Sequence, residues 1–103
     1  MGYAVYGMSL RSFAPGKLAD GKGQALKPLE EAAEAFGAWQ QYEEVGAVDA
    51  DGLRTCMRER VLDECADTVQ AVVNLMAALG VTQDELNAAL ERCDERNRER
   101  GRF

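Results

Sequence analysis

The sequence predicts an all-α chain, and three observations carry that expectation. Apolar residues recur at helical spacing through three long stretches. Period-two alternation is absent beyond the first few residues. Glycines and a helix-capping signal mark the joins between the stretches. The 103 residues suit a single domain. Apolar residues make up 47% and charged residues 29%, so the chain falls among globular proteins rather than disordered ones.

Residues 1–25 hold five of the ten glycines, together with Pro15, and read as an irregular arm or lid. Tyr3, Tyr6 and Phe13 are its candidate anchors. Residues 26–44 read as the first helix, with Pro28 in the first turn. Leu29, Ala32, Ala33, Phe36 and Gln40 share one face of it at about 100° per residue. Residues 45–52, VGAVDADG, read as a loop. Asp49-Ala-Asp51-Gly52 has the wrong spacing for a calcium loop and no later Glu to complete one. Residues 53–79 read as a long helix striped by Val61, Cys65, Val69, Val72, Met76 and Leu79, and stopped by Gly80. Thr82-Gln-Asp-Glu85 is a capping box for a third helix. Leu86, Ala89, Leu90 and Cys93 form that helix's apolar face before an Arg/Glu-rich tail.

Composition removes several function classes. The net charge of −6 makes the chain a poor general binder of nucleic acid. No apolar run approaches the roughly 18 residues that span a membrane, and the N-terminus does not resemble a secretory signal. Cytoplasmic residence is the expectation. Histidine is absent, which excludes His-based zinc sites and His general bases. Cys56, Cys65 and Cys93 are odd in number, with no Cys-x-x-Cys, and their apolar helical positions predict buried reduced thiols.

The acidic residues carry the chemistry. No basic residue lies between Lys27 and Arg54, whereas Glu30, Glu31, Glu34, Glu43, Glu44, Asp49 and Asp51 do. Glu30, Glu31 and Glu34 share a helical patch, because spacings of three and four bring side chains together. Glu64 and Asp67 repeat the device on the second helix. If the two apolar stripes pack, Glu31, Glu34, Glu64 and Asp67 converge beside the interface. Converging carboxylates raise one another's pKa, and a hard cation relieves the repulsion. Mg²⁺ prefers oxygen ligands and keeps several waters, so an open carboxylate site suits it. Singly, each residue has a plainer explanation: Arg60 pairs with Glu64, and Glu30 favours a helix N-terminus. Those explanations do not account for two acidic i,i+3 pairs on two amphipathic helices.

Glu30-Glu31-Ala-Ala-Glu34 followed by Glu64-Cys-Ala-Asp67 resembles the paired signature of the MazG-like all-α nucleoside triphosphate pyrophosphohydrolases. The segments LEEAAEAFGAWQ, VLDECADTVQAVVNLMAALGVT and ERNRERGRF are similar as well, so the resemblance covers residues 26–103. It implies a MazG-like helical bundle completed as a homodimer or homotetramer. It also implies Mg²⁺-dependent hydrolysis of a nucleoside triphosphate to the monophosphate and pyrophosphate, with Mn²⁺ as a substitute metal. Glu31, Glu34, Glu64 and Asp67 take the metal-ligand roles. Glu30 and Glu31 become candidates for activating water. Asn97 and Arg100 match an Asn-x-x-Arg pattern near the end of similar sequences. They join Asn74, seven residues after Asp67, as candidate substrate contacts. The long gap between Glu34 and Glu64 implies an extended loop at 41–55.

The plainer expectations stand beside these. Most C-terminal arginines read as a solvated face laced by Arg92–Glu95, Arg96–Glu99 and Glu99–Arg102 pairs. Phe36 and Trp39 read as core residues rather than base-stacking ones. Gly16–Gly23 nearly spells a P-loop but lacks the Ser/Thr and the preceding strand, so it reads as coincidence. A lid from which Lys17 or Lys22 reaches phosphates is the weaker alternative. Two other functions fit the same residues: phosphoribosyl-ATP pyrophosphohydrolysis on the same scaffold, and a non-catalytic acidic helical interaction protein.

Overall fold

Capping chemistry sets the joins of the fold. Thr82 Oγ1 accepts the Glu85 N–H at 3.2 Å, and Glu85 Oε1 accepts the Thr82 N–H at 2.9 Å. Both halves of the predicted capping box are therefore made. Upstream, Gly80 adopts φ +69°, its N–H bonds the Ala77 carbonyl at 3.0 Å, and the Val81 N–H bonds Met76 at 3.0 Å. This left-handed stop suits glycine, which has no Cβ to clash. The computed structural model describes residues 2–46 and 52–103. It contains α1 (Gly21–Val45), α2 (Leu53–Ala78) and α3 (Gln83–Glu99), with a 3₁₀ turn at Pro15–Lys17. No strand occurs among the described residues, and the chain is all-α. None of these helices is long and apolar enough to cross a membrane.

Two boundaries differ from expectation. The first helix begins at Gly21, five residues early. Gln24 explains the start: its N–H bonds the Asp20 carbonyl at 3.2 Å, and its Oε1 accepts the Ala19 N–H at 2.9 Å. Pro28 consequently lies inside the helix, where its missing N–H leaves the Gln24 carbonyl without an i+4 donor. Lys22 also enters the helix. The proposed loop at 41–55 is the second correction. Residues 41–45 continue α1, and 53–55 already belong to α2, so helix fills most of the gap. Residues 47–51, with Asp49 and Asp51, lie outside the described residues.

α1 and α2 form an antiparallel hairpin. Near its closed end the Arg54 guanidinium donates to Tyr42 Oη at 2.7 Å and to the Gly46 carbonyl, lying 4.2 Å over the Tyr42 ring centroid. Farther along, Arg60 donates to Gln41 Oε1. α3 makes no extended contact with either helix of the hairpin. The arm connects the parts instead. The Phe13 N–H donates to Asn74 Oδ1 at 2.9 Å, and Gln70 Nε2 donates to the Arg11 carbonyl at 2.9 Å. Tyr3 meets Phe103 edge to face at 5.7 Å.

The helix contact is built from small residues. Among the described residues Ala38 and Ala71 are the buried apolar side chains, Gln24 and Asn74 the buried polar ones, and no large side chain is fully buried. The stripe expected on the first helix is left outside, with Leu29 68% and Phe36 58% exposed. Its residues do share a face, but one lying roughly a third of a turn or more from the Ala38 line. Alanines lie at the contact and let the helices approach. On α2, Val61, Val69 and Met76 are half-buried, whereas Val72 and Leu79 are exposed. All three cysteines are free and exposed, not buried. Cys93 lies on the unpacked α3, and Cys65 borders an open apolar groove with Trp39 and Leu62.

Candidate metal centre

The hairpin brings acids from both helices together. Glu31 and Glu34 are one turn apart on α1, and the antiparallel register sets Glu64 of α2 against them. One carboxylate oxygen from each of Glu31, Glu34 and Glu64 lies within 4.8 Å of the others. Glu31 and Glu64 are half-buried, and Glu34 is exposed. Glu64 Oε2 is closed off from solvent and has no hydrogen-bond partner. Asp67 stands beside this trio, lining a cleft of about 350 Å³ with Glu31.

Proton affinities record the crowding. A hydrogen bond with the Glu34 carboxyl, then desolvation, then the charges of Glu34, Asp67 and Glu64 raise the Glu31 pKa. Desolvation comes first for Glu64, followed by the charges of Glu34 and Asp67; Arg60 offsets only part of this. Arg60 is not ion-paired with Glu64, contrary to the plainer expectation, because its guanidinium is held by Gln41.

The donor set fits a hard divalent cation. Every ligand atom is a carboxylate oxygen, and a solvent-excluded carboxylate oxygen without a donor is relieved by a cation or by a proton.

The remaining predicted residues are distributed differently. Glu30 does not join the cluster: its carboxylate pairs with Lys27 Nζ at 3.2 Å, one turn back on the same helix. Asn74 lines the cleft with Asp67 and is 4% exposed, but its Oδ1 is committed to Phe13 and, at 3.0 Å, to Gln70 Nε2. Asn97 and Arg100 line neither acidic cleft. Asn97 serves the end of α3, taking the Arg102 guanidinium on Oδ1 at 2.9 Å and the Arg102 N–H on its carbonyl at 2.9 Å. None of the three anticipated arginine–glutamate pairs of the tail forms among the described residues. Phe36 and Trp39 are not core; they stack on each other at 5.9 Å on the outside of α1.

Two residues were under-read in sequence. Gln24 is buried and lines the cleft, and Lys17 lines it from the arm. The incomplete P-loop drew attention to Lys17, but nothing local marked Gln24.

Compared with models of known protein families, with curated proteins and with solved structures, the chain matches none.

Proposed function

We propose that this protein is a Mg²⁺-dependent nucleoside triphosphate pyrophosphohydrolase of MazG-like type that works as a homodimer or homotetramer. The observation that carries the proposal is the three-carboxylate cluster of Glu31, Glu34 and Glu64, with Asp67 beside it, across two helices. Glu34 and Glu64 hold the metal with Glu31, and Asp67 adds its carboxylate from the cleft side. Bound Mg²⁺ neutralises phosphate charge and lowers the pKa of water. Glu31 is the proton acceptor for the attacking water, since Glu30 is engaged by Lys27. Attack on the α-phosphorus breaks the α–β bond and releases monophosphate and pyrophosphate.

Self-association draws support from surface area. The chain exposes 8153 Å², whereas a folded monomer of 11.3 kDa exposes about 5,700 Å². Its radius of gyration is 16.7 Å, against about 13 Å for a compact chain of this length. The excess in a dimer, roughly 4,800 Å², falls within the range of obligate interfaces. Asn97 and Arg100 could then serve a neighbouring subunit's site.

The test is pyrophosphate release from a panel of canonical and modified nucleoside triphosphates, with and without Mg²⁺. Metal-dependent release together with monophosphate is the expected result. Folded, metal-supplied protein that releases none would move the assignment to phosphoribosyl-ATP, and then to a non-catalytic acidic partner.

A further inference from the structure

The cleft beside the carboxylates has a second wall, made by the N-terminal arm. Phe13, Lys17 and Ala19 line it opposite Glu31 and Asp67, with Gln24 and Lys27 of α1. The arm is tied down there by three hydrogen bonds: Phe13 N–H to Asn74, Gln70 to the Arg11 carbonyl, and Ala19 N–H to Gln24. Gln24 is 3% exposed, and its Oε1 accepts a backbone N–H, which fixes the carboxamide orientation. The amide nitrogen has no acceptor among the described residues, and it retains solvent access, since Glu64 Oε2 is the sole solvent-excluded polar side-chain atom without a partner among them. Asn74 repeats the arrangement at 4% exposure, with Oδ1 taken by two donors and Nδ2 given no acceptor. Two buried carboxamides with unspent N–H groups, and two lysines, therefore border one cleft.

These N–H groups reach solvent and have no acceptor among the described residues, so they are free to donate to a bound ligand. Donors of this kind, together with cations, select an anion with several acceptor oxygens. The adjoining carboxylates select against a bare anion and in favour of one that arrives with a metal. The acidic cleft on the other side, lined by Glu34, Glu44 and Glu64, has only Arg60 as a cation. Charge thus distinguishes the two approaches to the cluster.

We propose that the N-terminal arm is part of the substrate site, with Lys17 and the Gln24 carboxamide N–H groups holding the phosphates of a metal-bound polyphosphate ester on the Glu31–Asp67 side. This assignment of the phosphate subsite rests on the pyrophosphohydrolase proposal, but concerns residues that do no chemistry. Lys17 and Gln24 are positioning residues, so their loss weakens binding more than it slows the bound substrate.

The experiment titrates the intact protein with Mg²⁺-tripolyphosphate, and with a nucleoside triphosphate whose α,β-bridging oxygen is replaced by methylene. Calorimetry reads the Kd of wild type, Lys17→Met, Lys17→Arg and Gln24→Glu. Gln24→Glu keeps the acceptor for Ala19 and removes the donors, so helicity and melting temperature check that the arm stays in place. Loss of one charge-assisted hydrogen bond predicts a Kd about tenfold to hundredfold weaker for Lys17→Met and Gln24→Glu, with Lys17→Arg near wild type. Turnover assays on the same proteins should show KM rising more than kcat falls. Wild-type binding that is unchanged in Lys17→Met and Gln24→Glu would overturn the arm assignment and leave the hydrolase proposal standing. Lys17-dependent binding by a wild type that hydrolyses no nucleoside triphosphate would support the arm and overturn the nucleoside triphosphate as substrate. Equal Kd for tripolyphosphate and the nucleotide would support a purely phosphate-reading arm. No binding of either probe by folded wild type overturns the arm assignment.

Discussion

Glu64 shows how one side chain ties the hairpin to its chemistry. One of its oxygens is closed to solvent and has no hydrogen-bond partner, and Glu34 and Asp67 add negative charge beside it. Folding therefore raises the proton affinity of Glu64 and of Glu31. The native chain then binds more protons than the unfolded chain between the ordinary carboxylate range and the raised values. Stability falls as pH rises through that window, and the penalty is fully present above it. Without metal, Glu31→Gln and Glu64→Gln should melt above wild type at neutral pH, and the difference should shrink as pH falls through the window. Adding Mg²⁺ should raise the wild-type melting temperature and leave these variants nearly unmoved; calorimetric scans at several pH values read both effects. Glu34→Gln and Asp67→Asn should each cut pyrophosphate release by at least about a hundredfold, as expected when transition-state charge stabilisation is lost. Circular dichroism should stay unchanged. Charge reversal at Glu43 or Glu44 should leave activity intact, whereas an acidic docking protein would lose its partner through those changes.

At the scale of elements, α3 depends on its own ends. It has the capping box at Thr82 and a left-handed stop at Gly101, where φ is +71° and the Gly101 N–H reaches the Arg98 carbonyl at 3.0 Å. It makes no extended contact with the hairpin. Short helices without tertiary packing are marginal in water. Thr82→Ala should therefore cost about 1 kcal/mol. Faster hydrogen exchange confined to α3 amides would show it, with α1 and α2 protection unchanged. The closed end of the hairpin relies on Arg54 instead, which joins Tyr42 and the Gly46 carbonyl. An Arg54→Lys change keeps charge but loses the planar fork and should lower the melting temperature.

For the whole molecule, the missing core is the dominant fact. Ala38 and Ala71 cannot supply the apolar burial that a chain of this length needs, while Leu29, Phe36, Trp39 and Leu62 stay in solvent. Size-exclusion chromatography with light scattering should give a mass of two or four chains. Leu29→Glu combined with Leu62→Glu should reduce that mass and lower the melting temperature together, because folding and assembly are one equilibrium in such proteins. A compact, stable monomer would count against the proposed assembly.

Local rules alone determined much of this protein. Periodicity marked three helices, Gly80 and the Thr82–Glu85 box marked their join, and i,i+3 spacing put Glu31 beside Glu34 and Glu64 beside Asp67. Each depends on neighbours within one or two turns, and such signals survive in a single sequence. What crosses between helices was decided only by the tertiary structure. The register that sets Glu64 against Glu31 and Glu34 comes with a helix contact that buries the alanines Ala38 and Ala71, and a wheel drawn on hydrophobicity favoured the larger residues on the other face. The start of α1 five residues early depends on the Gln24 side chain reaching back to Ala19, whereas Glu30 left the site by a local contact, its pair with Lys27 three residues back. The arm's place on α2 hangs on Asn74 and Gln70, some sixty residues away along the chain. Such contacts join backbone groups to side chains with no periodic pattern, so no window of sequence contains them.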